Sequence, residues 1–148
     1  MADRVQTTIE IGAPPDEVWA IVSDPRRLGE WVTIHRSLER ADAGPLQQGF
    51  TMEQEMVLHG QPFIVAWTAA EVDAPCLVRW EGDGPAGSSA MTEYRLAATD
   101  RGTRFFYANS FDVPGGPLGR MAAGAVTGDA PREEADASLQ RLKALVEG

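Results

Sequence analysis

Cysteine, histidine and lysine are scarce in this chain, and each scarcity removes a class of chemistry. The single cysteine, Cys76, excludes an intrachain disulfide, and His35 and His59 with that one thiol cannot complete a Cys/His zinc cluster without carboxylates. No metal and no cofactor is expected. Lys143 is the only lysine, and 13 Lys plus Arg face 22 Asp plus Glu for a net charge of −9. That acidity argues against a general nucleic-acid partner or an anionic membrane surface. No apolar run reaches the ~20 residues that a membrane helix needs, so no stable membrane insertion is expected. The start, Met1-Ala2-Asp3-Arg4-Val5-Gln6, lacks the hydrophobic segment of a signal peptide. The expectation is a soluble cytoplasmic protein, monomer or homodimer.

What is present is patterned apolar sequence, 43% of 148 residues, which suits one domain over 1–148. Val5, Thr7, Ile9 and Ile11 alternate with Gln6, Thr8 and Glu10, the period of a half-buried strand. Gly12-Ala13-Pro14-Pro15 breaks the strand, and a proline followed by Asp16 and Glu17 suits a helix N-terminus. This helix should carry Val18, Trp19 and Val22 inward. Asp24-Pro25 then caps a second short helix that reaches about Trp31. Strands follow at roughly 34–42, 49–59, 62–73, 76–82, 88–98 and 103–113, separated by turn residues at 43–45, 59–60, 73–75, 82–87 and 100–102.

After Pro114-Gly115-Gly116-Pro117 the period changes. Leu118, Met121, Ala125, Ala135, Leu139, Leu142 and Val146 recur at three- and four-residue steps, a long amphipathic helix interrupted at Gly128-Asp129-Ala130-Pro131. Short connections between strands imply an antiparallel sheet, and the terminal helix is the element long enough to cover its apolar face. The fold class is therefore α+β.

Several segments, in this order, resemble the START-like, helix-grip superfamily (SRPBCC), in its polyketide cyclase/dehydrase-type branch. They are Ile11-Gly12-Ala13-Pro14 before Val18-Trp19, then Asp24, Trp31 and Gly102-Thr103-Arg104. The stretch from Asn109 to Arg120 and the ending Leu139-Gln140-Arg141-Leu142-Lys143 complete the set. The resemblance implies a seven-stranded antiparallel sheet wrapped around a long C-terminal helix, with two short helices after the first strand. It also implies a cavity between sheet and helix for a hydrophobic or amphipathic small molecule. It carries over no catalytic signature residue by residue, and fold alone does not choose an activity.

Strand parity supplies the cavity candidates, because alternate residues share a face. Phe50, Met52, Gln54, Met56 and Leu58 fall together, as do Thr92, Tyr94 and Leu96, and Phe105, Tyr107, Asn109 and Phe111. Gln54, Tyr94, Tyr107 and Asn109 thus sit within apolar faces, where an unpartnered polar group costs ~1–3 kcal/mol. They either satisfy one another or meet a ligand. Trp31, in the connection at the expected cavity mouth, is either a core plug or a ligand contact, and Met121 would reach the cavity from the terminal helix. The sides taken by Trp67 and Trp80 stay open, since Phe63-Ile64-Val65-Ala66-Trp67 is apolar on both faces.

Titratable groups are few. His35, near Trp31, has the ordinary pKa for proton transfer, against the plainer reading of an exposed histidine at a strand start. His59 belongs to a turn. Glu53 and Glu55 face away from the Phe50 series, and Arg79, Glu81, Glu93, Arg95 and Arg104 alternate outward as cross-strand charge pairs. The segment Gly82-Asp83-Gly84-Pro85-Ala86-Gly87 lacks the Lys-Ser/Thr ending of a phosphate loop and reads as a hairpin connection. The leading expectation is a noncatalytic carrier or sensor of a lipid or polyketide-like metabolite. One alternative is a polyketide aromatase/cyclase-like enzyme, using Tyr94, Tyr107 and His35 for proton transfer. Another is a toxin-like or regulatory interaction module.

Overall fold

The computed structural model describes residues 3–58, 60–112 and 130–148. His59, Leu118, Met121, Ala125 and the interruptions expected at 114–117 and at Gly128-Asp129 lie outside the described residues.

The chain opens with β1 (Asp3–Ile11), whose alternation turns Val5 and Ile11 into the core. Pro14 and Pro15, with φ preset for a helical start, lead into α1 (Pro15–Val22). Val18, Ile21 and Val22 are its buried residues. Trp19 was expected inward with them, but only part of its ring is covered, because Ile21 takes the central position of the buried stripe. The Asp24 carboxylate accepts from the Arg26 backbone N–H at 3.0 Å, capping a 3-10 turn (Pro25–Arg27) that runs into α2 (Leu28–Trp31).

Six strands follow: β2 (His35–Ala41), β3 (Thr51–Leu58), β4 (Gln61–Asp73), β5 (Leu77–Asp83), β6 (Ser89–Thr99) and β7 (Gly102–Asp112). Among the described residues the strands form one antiparallel sheet in the order β1-β7-β6-β5-β4-β3-β2. The helix α3 (Ala130–Glu147) packs on its concave face, against β1 and α2. This is the helix-grip arrangement. Ala135, Leu139 and Leu142 are its buried stripe, and each fully buried leucine contributes ~1.5–3 kcal/mol. Polar contacts fix its pitch: Thr7 Oγ1 donates to Asp136 at 3.0 Å, Lys143 Nζ to the Glu10 carbonyl at 2.7 Å, and the Gly12 N–H to Glu147 at 2.7 Å.

Two glycines are required by geometry. Gly102, at φ +144°, lies so close to the end of β1 that a Cβ would stand 2.2 Å from the Ile11 carbonyl oxygen. Its neighbour Thr103, fully buried, donates from Oγ1 to the Ala13 carbonyl at 2.7 Å. Gly82, read both as the end of the strand 76–82 and as the start of the connection 82–87, is a buried residue within β5, lying beneath the Trp67 indole. The outer face carries cross-strand charge pairs, as expected for Arg79 with Glu71 and Arg104 with Glu10, while Arg79 also meets Glu81 along its own strand and Glu53 and Glu55 are paired with Arg40 and Arg36. Glu93 departs from expectation, since its side chain is only 11% exposed as it pairs with Arg95.

Candidate functional site

Sheet curvature leaves a cavity of about 440 Å³ between the concave face, α2 and α3. Its β3–β5 wall is Met52, Met56, Phe63, Trp67 and Trp80, with Gln54 as the polar residue among them. The β6–β7 wall brings Thr92, Tyr94, Tyr107, Asn109 and Phe111; Val32 and Ile34 close one side, and Glu134, Ala135 and Ser138 come from α3. Trp67 and Trp80, open in the sequence, both turn inward and are buried. In β4 the residues Phe63, Val65 and Trp67 share the concave side, which leaves Ile64 48% exposed on the other.

Of the sequence candidates, Met52, Gln54, Met56, Tyr94, Tyr107, Asn109 and Phe111 are brought together around this space. Three others lie in the packing behind it. Trp31 is fully buried, edge-on to Tyr94 at 5.5 Å and to Phe105 at 6.2 Å, while Phe50 meets Trp80 edge-on at 6.2 Å. These T-shaped pairs stiffen the wall and leave none of the three facing the cavity. The Trp31 indole N–H has no hydrogen-bond partner among the described residues.

The polar residues of the wall form three connected sets. In the first, Trp67 Nε1 donates to Gln54 Oε1 at 2.9 Å, and Gln54 Nε2 lies 2.9 Å from His35 Nδ1. An indole N–H can only donate, so the amide oxygen must face Trp67 and the amide nitrogen must face the imidazole. His35 Nδ1 therefore accepts, and the ring proton is assigned to Nε2. His35 was expected exposed at a strand start; it is half-buried behind Gln54, and burial lowers its pKa below the ordinary histidine value.

In the second set Thr92 Oγ1 donates to Asn109 Oδ1 at 3.4 Å, and Asn109 Nδ2 donates to the Tyr107 hydroxyl at 3.3 Å. The Tyr94 and Tyr107 rings stack at 5.7 Å. Burial pushes the Tyr107 phenol up to about 12, the Asn109 bond pulling the other way, and burial followed by the neighbouring phenol raises Tyr94 well above the ordinary value. Both phenols are thus held protonated, able to donate hydrogen bonds but poor at releasing a proton. The third set ties the α2–β2 connection to α3: the Thr33 N–H donates to Ser138 Oγ at 3.1 Å and the Thr33 hydroxyl bonds the Glu134 carboxylate.

Ser138 and Glu134 were not singled out from the sequence. The available signal was their four-residue spacing beside the Ala135, Leu139 and Leu142 stripe, which sets them at its edge. Among the described residues no group of three or more His, Cys, Asp or Glu could hold a metal, and no helix is long and apolar enough to cross a membrane.

Comparison with known proteins gives concordant results. A family model described as polyketide cyclase/dehydrase and lipid transport matches residues 2–147. The Mycobacterium tuberculosis protein named Toxin Rv0910 is 28% identical over 146 residues, covering 98% of this chain and 99% of the relative. An uncharacterized protein of the same organism, Rv1546, is 30% identical over 131 residues, 84% of this chain and 89% of the relative. In structure, the Zhui aromatase/cyclase from Streptomyces superposes with a TM-score of 0.75 at 14% identity, covering 99% of this chain and 94% of that one. At that identity the likeness speaks for the fold alone.

Proposed function

The chain belongs to the polyketide cyclase/dehydrase and lipid transport family, and from that premise we propose that it is a noncatalytic carrier or sensor of a hydrophobic or amphipathic small molecule. The observation that carries this reading is the cavity of about 440 Å³, with mainly apolar walls and a few convergent polar groups, the ordinary form of a small-molecule site. Met52, Met56 and Phe111 supply apolar contact, while Gln54, Tyr94, Tyr107 and Asn109 orient the ligand. Trp31, Phe50 and Phe105 support the wall from behind. The acidic chain acts in the cytoplasm as a monomer or homodimer, without a cofactor.

An aromatase/cyclase-like reaction is less well supported. It asks buried groups to take up and release protons near neutral pH, whereas both phenols are pushed upward and His35 is screened from the cavity by Gln54. The test is native mass spectrometry of the protein isolated from its own host, set against the mass of the denatured chain. A retained small molecule supports the carrier reading and supplies its chemical class. If the protein comes out empty and a panel of lipids and aromatic metabolites leaves its melting temperature unchanged, the reading fails.

A second reading rests on the relative named a toxin, which this chain matches over almost its full length. In that reading the domain arrests growth when produced without a restraining partner. Induced expression that leaves growth unchanged removes it.

A further inference from the structure

The Trp67–Gln54–His35 chain uses only half of the Gln54 amide. A primary amide has two N–H donors and two oxygen lone pairs, and here one donor faces His35 and one lone pair faces Trp67. The second N–H has no partner among the described residues, although Gln54 is only 4% exposed and lines the cavity. The side chains beside it on the wall, Met52, Met56, Phe63 and Trp67, offer no strong acceptor. A buried donor of this kind is costly unless something occupying the cavity accepts from it.

The amide is also held from both sides. Trp67 cannot back away, because it rests directly on Gly82, where even a Cβ would stand 2.7 Å from the indole. His35 Nδ1 holds the nitrogen end, so the free N–H is preorganised rather than free to swing.

Charge selects among acceptors. The charged residues on the cavity wall, Arg4, Arg132 and Glu134, belong to β1 and α3. β1, which carries Arg4, lies five strand positions from β3 in the sheet, and the Glu134 carboxylate is bonded to the Thr33 hydroxyl. The carboxylates of β3, Glu53 and Glu55, point to the outer face and are paired with Arg40 and Arg36. The wall side chains flanking Gln54, Met52, Met56 and Trp67, are apolar and uncharged, a poor setting for a carboxylate or phosphate.

We propose that Gln54 is a recognition subsite for an uncharged carbonyl oxygen, of a ketone or an ester, carried on an otherwise apolar ligand. The ligand enters with its carbonyl toward β3, seated among Met52, Met56 and Trp67. This assignment rests on the cavity-binding reading given above and adds the class of group that the cavity selects.

The test uses two probes of nearly equal shape, benzophenone and diphenylmethane, which differ by a carbonyl in place of a methylene. Dissociation constants are measured for the full chain and for Gln54→Leu, with Gln54→Met as a second variant should the first not fold. The readout is the affinity ratio of ketone to hydrocarbon in the native protein divided by that ratio in the variant, so that differences in water solubility cancel. One buried hydrogen bond predicts about a tenfold quotient, with diphenylmethane affinity unchanged or improved in the variant. A quotient within twofold of unity, with both probes bound, overturns the subsite and leaves the cavity reading standing. If neither probe binds the native protein, the cavity reading itself falls and takes the subsite with it.

Discussion

Replacing Gly82 by alanine adds one methyl group in the middle of β5, and its consequence follows from three distances. The new Cβ would stand 2.6 Å from Val65 Cγ1, 2.7 Å from Trp67 Cε3 and 3.0 Å from Trp67 Cδ2, where ordinary carbon contacts are ~3.5–4.0 Å. Val65 is fully buried, and Trp67, 5% exposed, can yield only toward the cavity it lines. Overpacking of this kind costs ~1–3 kcal/mol. As the indole tilts away its bond to Gln54 breaks and a buried donor and acceptor are stranded, for a further ~1–3 kcal/mol. Alanine recovers ~0.5–1 kcal/mol of backbone entropy relative to glycine in a strand. With both costs the net is a destabilisation of about 1–5 kcal/mol, or about 2–20 °C in melting temperature at ~2–4 °C per kcal/mol for a chain of this length. Thermal unfolding followed by far-UV circular dichroism measures it, with near-UV dichroism reporting the indole.

Gly29→Ala is the matched control. Its nearest neighbour would be His35 Cδ2 at 3.4 Å, an ordinary contact, and helix propensity favours alanine by up to ~1 kcal/mol. That variant is expected unchanged or slightly more stable. In a Trp67→Phe background, which removes the indole contact and leaves the Val65 Cγ1 contact, the cost of Gly82→Ala should shrink by about 1 kcal/mol. A Gly82→Ala protein that melts within about 2 °C of the native one, with its near-UV spectrum intact, refutes the reasoning.

Further outcomes follow from groups described above. Burial lowers the pKa of His35, while Glu30 on α2 is bonded to Arg27 and Arg36 is paired with Glu55, so neutral imidazole is the folded form. The unfolded chain takes up the proton at the ordinary histidine value of ~6.5, so stability holds above that pH and declines as pH falls below it. Urea midpoints between pH 8 and 5 should fall more for the native protein than for His35→Phe, and equal slopes would contradict this. The chain has two tyrosines, Tyr94 and Tyr107, both raised, so the folded protein should develop no phenolate absorbance until pH exceeds about 11. The denatured chain should titrate near 10, and phenolate appearing at that pH in the folded protein would show the rings to be hydrated. Thr103→Val strands the Ala13 carbonyl and should cost ~1–3 kcal/mol by urea denaturation, whereas Gly102→Ala, striking backbone at 2.2 Å, should yield no folded protein. A well-folded Gly102→Ala would mean that the end of β1 can yield.

The parts of the site legible in the sequence were those set by local period. Alternation alone put Gln54 with Met52 and Met56, and Tyr107 with Asn109, on one face, because a strand reverses side at every residue. Long-range pairing was illegible. His35 stands opposite Met56 only after the shifted register of β2 on β3, with irregularities between His35 and Ser37 and between Leu38 and Arg40. No spacing in the chain announces that its ring will reach Gln54. For Gly82 the surrounding glycines and proline signalled a turn, and the competing requirement came from Trp67, fifteen positions earlier, through the β4–β5 pairing. Trp31 was ambiguous because an aromatic residue in a connection gives no period from which to infer a side.

The strand order has a consequence in time. From β2 onward each strand pairs with its immediate successor, so that part of the sheet can form hairpin by hairpin as the chain leaves the ribosome. β1 is made first, yet its strand partner is β7, and Val5 must wait for Asn109. At ~5–20 residues per second that interval is roughly 5–20 s. Through it Val5, Ile9 and Ile11 stand on an unpaired, alternating apolar edge, the kind of segment that chaperones hold and that aggregates form from. Closure of this sheet is a late, non-local event, and loop closure over some hundred residues makes its N-terminal strand the slow partner in folding.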